Sequence, residues 1–206
     1  MLLNHVAEGC FSAIAASFNP ALKRDSLSKV LIPLAQGCEE IEAVTVIDIL
    51  RRAGIEVISA GLDDQPVRAS RGVMLLPDTT LEAALQQDFD IVVLPGGQPG
   101  SNNLKADPRI IAVLQKMAQQ GKYIAAICAA PSVVASAGLL NGKQATSFPG
   151  ALDSFQNVKQ QNIAVVEDGN IITSRGPGTA MDFALTLVER LEGKEKRLAV
   201  EAGLQR

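Results

Sequence analysis

Cys128 stands between the small apolar run Tyr123–Ile127 and a second apolar segment that opens Ala129, Ala130, Pro131, Ser132. The first run has the character of a strand buried on both faces, and the second begins a helix, so the thiol falls on the tight turn between them. Such a cysteine is the thiol counterpart of a nucleophile elbow, in which a strained turn exposes the reactive atom and small neighbours admit a substrate. Ala126, Ala129 and Ala130 are small enough. Free N–H groups at the start of the following helix favour thiolate over thiol, and Cys128 is therefore expected to titrate below the ~8.5 of an ordinary cysteine. The competing reading is a buried small hydrophobe, which most free cysteines are.

A reactive thiolate needs a proton partner. The one histidine, His5, lies in an N-terminal stretch apart from the body of the chain. Cys-His and Ser-His chemistry is then out of reach unless that stretch folds back, and a carboxylate is the natural candidate. Glu39, Glu40 and Glu42 follow Gly37 and Cys38 in the first turn of a helix. Glutamates at a helix start commonly compensate its dipole from the surface. One buried beside a thiolate would have its pKa raised, stay protonated and donate to the sulfur, and Glu42 is the candidate for that proton shuttle. Gly96 and Gly97, after another buried strand, allow a backbone N–H to approach the same point. With the Ala129 N–H they would form a pocket for an oxyanion or a sulfur oxyacid; a plain tight turn is the alternative. Arg175, on a strand-to-helix turn, either binds an anion or belongs to a structural turn. Cys38 reads as a packing residue and Cys10 as part of the N-terminal stretch.

The elements that must position these groups alternate. Strand-like runs at residues 29–35, 55–61, 90–95 and 123–127 are separated by helical patterns, and strand-like runs at 143–148, 162–169 and 170–176 precede a closing helix at 179–193. In the helix over residues 39–54, Ile41, Val44, Ile47 and Leu50 recur at helical spacing, glutamates fill the first turn, two arginines the last, and Gly54 stops it. Asp107 and Pro108 open a second amphipathic helix that Gly121 ends. Residues 67–78 form an excursion with one or two short strands. This alternation defines one doubly wound, mostly parallel α/β domain, a three-layer α/β/α sandwich of flavodoxin-like or class I glutamine amidotransferase-like type, over residues 29–206, with residues 1–28 as an N-terminal extension that is expected to be flexible. In open sheets of this kind ligands bind beyond the carboxyl ends of the strands, where all three chemistry-bearing segments converge.

Composition narrows the partners. A length of 206 residues at 47% hydrophobic content suits one globular core. A net charge of -3 without basic blocks, and 3% aromatics, argue against nucleic acid. Three scattered cysteines fit neither a disulfide framework nor a zinc site and suit a reducing cytoplasm. No apolar run approaches the ~20 residues of a membrane span, and the apolar stretch near the start, preceded by His5 and Glu8, does not read as a secretory signal.

Six ordered segments, Gly37 to Ala43, Arg51 to Val57, Ser70 to Val73, Val92 to Gly97, Ala125 to Pro131 and Thr173 to Ala180, resemble the ThiJ/PfpI superfamily. Within it they resemble the branch of the parkinsonism-associated protein deglycase and its bacterial YajL-like relatives. The resemblance covers roughly residues 29 to 197. It implies that Cys128 is the reactive cysteine and Glu42 its protonated partner, with Gly97 and Ala129 as backbone donors. It also implies that Glu39 is a second acid at the pocket mouth and that Arg71 lies near the pocket and a subunit contact. A homodimer is implied, with the first helix meeting its copy across a two-fold, and neither metal nor organic cofactor is required. Ser147, Phe148 and Pro149 stand where human-like members carry Thr-His-Pro, a departure that favours the bacterial sub-branch and weakens a Cys-His hydrolase reading. The expected function is a cofactor-independent deglycase or glyoxalase acting on methylglyoxal, glyoxal or their early adducts with proteins, thiols or nucleotides. The alternative is a redox-regulated chaperone or stress sensor that binds unfolded clients through oxidation of Cys128. A thiamine-pathway role finds no thiazole or phosphate site beyond Arg175.

Overall fold

Side-chain alternation along the buried strands decides how this chain layers. The computed structural model describes residues 27–206, so the expectations for His5 and Cys10 lie outside the described residues. In chain order the elements are β1 (Lys29–Leu34), α1 (Glu40–Arg52), β2 (Glu56–Gly61), β3 (Val67–Arg68), β4 (Met74–Leu75), β5 (Thr79–Thr80) and α2 (Leu81–Ala84). Then come β6 (Ile91–Leu94), α3 (Gly100–Ala106), α4 (Pro108–Gln119), β7 (Tyr123–Ile127), α5 (Pro131–Ser136), β8 (Gln144–Ala145) and β9 (Lys159–Gln160). β10 (Val165–Asp168), β11 (Ile171–Ser174), α6 (Ala180–Glu192) and α7 (Lys194–Gly203) complete the chain.

Seven strands form the central sheet in the order β10-β11-β7-β6-β1-β2-β5, with β10 antiparallel to β11 and the remaining neighbours parallel. Val30, Ile32, Val93, Ala125 and Ile127 face one core, shared with α1, α6 and α7. Leu31, Val92, Leu94, Ile124 and Ala126 face the other, shared with α2, α3, α4 and α5. Helices on both faces of a mostly parallel sheet make the three-layer α/β/α sandwich expected from the sequence. No helix among the described residues is long and apolar enough to cross a membrane.

In register, Leu94 of β6 pairs with Ala126 and Ser174 of β11 with Ile127, so the three strand ends lie side by side around Cys128. The crossover from β1 into α1 delivers the glutamates to the same edge.

Helix α1 forms where expected but presents a different face. Ile41 and Val44 are 55% and 46% exposed, while Glu42, Ala43, Val46, Ile49 and Leu50 are buried. Two apolar stripes compete on this helix, and packing against α6 selects the one that carries Glu42 inward. Spacing alone does not rank them, because both recur at three- and four-residue intervals. Three helices are not announced by the sequence pattern. α2 (LEAA) is a single turn, and α3 (GSNNLKA) and the charged α7 (KEKRLAVEAG) are too polar to show a clear period.

Candidate active site

Cys128 has φ +64, one of two non-glycine residues in the left-handed region among those described. This conformation is costly for a residue with a Cβ and persists only when the surroundings impose it. Here both backbone groups are tied: the Cys128 N–H donates to the Ser174 carbonyl at 2.9 Å and its carbonyl accepts the Phe148 N–H at 2.7 Å. The β11 end and the segment after β8 thus clamp the turn. Cys128 is buried at the sheet edge, with 8% of the residue exposed, so the turn does not present the thiol openly as an elbow was expected to. The N–H groups of Gly97 and Ala129 act on the sulfur, each drawing the thiol's pKa down.

Gly96 and Gly97 reach that position through their own constraints. The Glu39 N–H donates to the Gly96 carbonyl at 2.9 Å. The carbonyl and N–H of a trans peptide point in opposite directions, so holding the Gly96 oxygen from one side aims the Gly97 N–H at the sulfur on the other. Gly97 has φ +87, and a Cβ there would run into the Glu39 amide nitrogen. At Gly96 a Cβ would lie 2.6 Å from Cys128 Cβ and 2.7 Å from Glu42 Oε2, so glycine is required for thiol and carboxyl to flank this peptide.

Glu42 is fully buried. Its Oε2 accepts the Gly96 N–H at 2.7 Å. Oε1 has no conventional hydrogen-bond partner, and the carboxyl's other polar interaction is with the Cys128 sulfur. Burial drives the Glu42 pKa up, against the Gly96 N–H and the thiol, and the nearby Glu39 charge adds to the rise, which reaches about 7.

The ionisation of the thiol is not set by helix and turn amides alone. Burial, then the charge of Glu42 and its hydrogen bond, push Cys128 up to about 12, although the Gly97 and Ala129 amides pull it down. Two amides therefore do not ionise the sulfur while Glu42 is itself charged. The two groups titrate as a pair, which holds two protons below about 7 and one between about 7 and about 12. Donor supply decides where the single proton rests. A thiolate would receive two amide N–H groups and the carboxyl O–H; a carboxylate would receive one amide and a weak S–H donor and leave a buried oxygen unpaired. The arrangement favours sulfur as the anion, with the proton on Glu42.

This pair couples folding to pH. The folded state keeps on Glu42 a proton that the unfolded chain, near 4.3, has released. The stability this contributes is complete below about 4.3 and is lost as pH rises through about 7. Denaturant unfolding of wild type and Glu42→Gln at pH 4 and pH 8 is expected to show wild type losing on the order of 3 kcal/mol relative to the variant across that interval. A pH-independent difference would contradict the assignment.

The remaining candidates fall around this centre. Glu39 and Glu40 are buried at the start of α1. Glu40, a first-turn acid by sequence, ties down the β3–β4 turn, accepting the Arg71 N–H at 2.9 Å and lying 3.0 Å from Ser70 Oγ. Burial works against its charge, but the backbone and Ser70 donors hold its carboxyl below the usual range. Contacts of this kind join residues about thirty positions apart, and no local pattern announces them. Arg71 is exposed, Arg175 half-buried, and neither side chain forms an ion pair among the described residues. Phe148 is 51% exposed and reaches the site through its amide on Cys128. Cys38 is fully buried in the core, and burial with the Glu40 charge pushes its thiol up to about 12. A cleft of about 440 Å³ bordered by Gln36, Asp63, Asn103 and Asp107 includes none of the Cys128 constellation.

Residues 28–190 match the model of the DJ-1/PfpI family, and the chain belongs to it. It is 47% identical over 177 residues to protein dj-1beta of Drosophila melanogaster, covering 84% of this chain and 95% of that one. The crystal structure of that Drosophila protein superposes with a TM-score of 0.84 at 45% identity, covering 87% of this chain and 98% of that one. The structure of Toxoplasma gondii DJ-1, oxidized, gives a TM-score of 0.83 at 42% identity, covering 86% and 98% respectively. The glutathione-independent glyoxalase DJR-1.2 of Caenorhabditis elegans is 37% identical over 169 residues, covering 81% of this chain and 89% of that protein.

Proposed function

We propose that this protein is a cofactor-independent, cysteine-dependent enzyme that converts methylglyoxal, glyoxal or their early adducts with proteins, thiols or nucleotides into hydroxy acids. The observation that carries this reading is the donor count at the Cys128–Glu42 pair, which favours an anionic sulfur beside a protonated carboxyl. The similarity to a relative named a glutathione-independent glyoxalase supports the same substrate class.

The thiolate adds to the aldehyde carbon of methylglyoxal, and the resulting alkoxide takes the Glu42 proton to give a hemithioacetal. The Gly97 and Ala129 N–H groups, aimed at this locus, stabilise the developing charge. Glu42, now a carboxylate, removes the proton from the former aldehyde carbon to form an enediolate, the C1 hydroxyl proton passes to the C2 oxygen, and Glu42 returns its proton to C2. The product is a lactoyl thioester on Cys128. Water hydrolyses it, releasing lactate and restoring the thiol, so one methylglyoxal and one water yield one lactic acid. Arg71, Arg175 and Phe148 would line the approach, with Glu39 at the mouth. Wild type supplied with methylglyoxal and no glutathione is expected to form lactate catalytically; a rate no higher than buffer would end this reading.

A second reading, a redox-responsive chaperone or sensor, is supported by the same three donors, which suit the oxygens of a Cys128 sulfinate, and by the relative whose structure is described as oxidized. A homodimer accompanies either reading: Ile41 and Val44 of α1 and Val73 and Met74 at the β3–β4 turn are exposed apolar side chains, of the kind that mark an interface.

A further inference from the structure

Ser70 has no part in the chemistry above, yet it occupies a junction. Its Oγ lies 2.7 Å from Glu39 Oε2 and 3.0 Å from Glu40 Oε2, and its N–H donates to the Cys38 carbonyl at 2.8 Å. A hydroxyl has one proton, so Ser70 can satisfy these two carboxylates only by sharing it. Glu40 has alternatives in the Arg71 and Val73 amides. For the Glu39 side chain, Ser70 is the hydrogen-bond donor among the described residues. Glu39 is also the residue whose backbone N–H holds the Gly96 carbonyl, and whose charge acts on Glu42. The β3–β4 turn is thus connected through one hydroxyl to both the peptide and the field at the sulfur.

We propose that Ser70 is a positioning residue of the active site: by bridging Glu39 and Glu40 it holds the Glu39 carboxyl in place and offsets part of its charge at the Cys128–Glu42 pair. The inference rests on reading that pair as a proton-sharing centre. The groups that act on Glu42 are Cys128 from the β7 turn and Glu39 from its own first turn, while Cys38 feels the charge of all three glutamates from inside the core. Without the hydroxyl, the Glu39 charge opposes the thiolate more strongly, and more of the pair stays doubly protonated at a given pH.

The test is the pH dependence of iodoacetamide labelling at Cys128, followed on its own peptide by mass spectrometry. Ser70→Ala is expected to move the midpoint up by about 0.5, seen as about threefold slower labelling on the acid side. Ser70→Thr, which keeps the hydroxyl, should retain the wild-type midpoint. Glu39→Gln should move it down, and adding Ser70→Ala to Glu39→Gln should move it no further. A wild-type midpoint in Ser70→Ala, or a shift that persists in the Glu39→Gln background, overturns the inference, because a turn that merely supports the fold would lower stability without following the Glu39 charge. A wild-type protein without a midpoint below that of an ordinary cysteine refutes the proton-sharing centre itself, and the role of Ser70 falls with it.

Discussion

Alanine at position 96 is expected to reduce lactate formation from methylglyoxal by on the order of a hundredfold or more. The added methyl has nowhere to go: it would stand 2.6 Å from Cys128 Cβ, 2.7 Å from Glu42 Oε2 and 2.9 Å from the Ile127 carbonyl oxygen. None of the three can yield independently. The Ile127 oxygen is strand backbone, Cys128 is clamped by Ser174 and Phe148 at a positive φ, and Glu42 is fully buried on a helix packed against α6. Relief must therefore separate the thiol from the carboxyl or rotate the Gly96–Gly97 peptide, and each removes a donor from the sulfur. Overpacking of this kind costs roughly 1–3 kcal/mol of stability, so the variant should fold while losing its chemistry. Gly203→Ala, where an added Cβ meets nothing, serves as the control and should leave both unchanged. Activity within a few-fold of wild type in Gly96→Ala would mean that the contact between thiol and acid is not required.

Cys128→Ala should abolish lactate formation, with a loss of at least about a thousandfold, because no other group in the site can form the thioester. Cys38 offers no substitute, since it is fully buried and its thiol is pushed up to about 12. Glu42→Gln separates two roles of the acid. Its amide can still donate to the sulfur but cannot pass a proton to the alkoxide or take one from carbon. Turnover should fall by about 10² to 10⁴ while iodoacetamide labelling of Cys128 survives. If Cys128→Ala forms lactate at the wild-type rate, the thiol is a bystander and the enzyme reading fails.

Much of this site could be read from residue order. A thiol at a strand-to-helix turn, paired glycines after the neighbouring strand and an acid in the first crossover must all arrive at the carboxyl edge of a parallel sheet, and Cys128, Gly96, Gly97 and Glu42 do so. What the pattern did not contain was the result of competition between packing choices. Helix α1 carries two apolar stripes. The one that looked inward, through Ile41 and Val44, faces solvent, because seating Val46, Ile49 and Leu50 against α6 also seats Glu42 beside the sulfur. The protonation balance does not follow from dipoles alone. Burial and the neighbouring carboxyl outweigh the two amides, so ionisation of the thiol depends on which of the two groups keeps the proton. The link from Ser70 to Glu39 and Glu40 joins segments about thirty residues apart, a contact that only the folded chain makes.

The same competition explains why the site tolerates a buried acid. A charged Glu42 with an unpaired oxygen in the core would be costly, whereas a neutral carboxyl accepts the Gly96 N–H through Oε2 and has the Cys128 sulfur as the one polar neighbour able to take up its O–H. Stability and reactivity then draw on one proton.

The location of that proton can be measured from the ultraviolet thiolate absorbance of Cys128, taken as the difference between wild type and Cys128→Ala across pH, and repeated in the Glu42→Gln background. A sulfur anion held by a protonated carboxyl predicts a wild-type midpoint at about 7 or lower that stays in place or rises modestly when the carboxyl becomes an amide. A wild-type thiol that ionises only near 12, and does so more readily once Glu42 is replaced, would put the charge on the carboxylate and contradict the account.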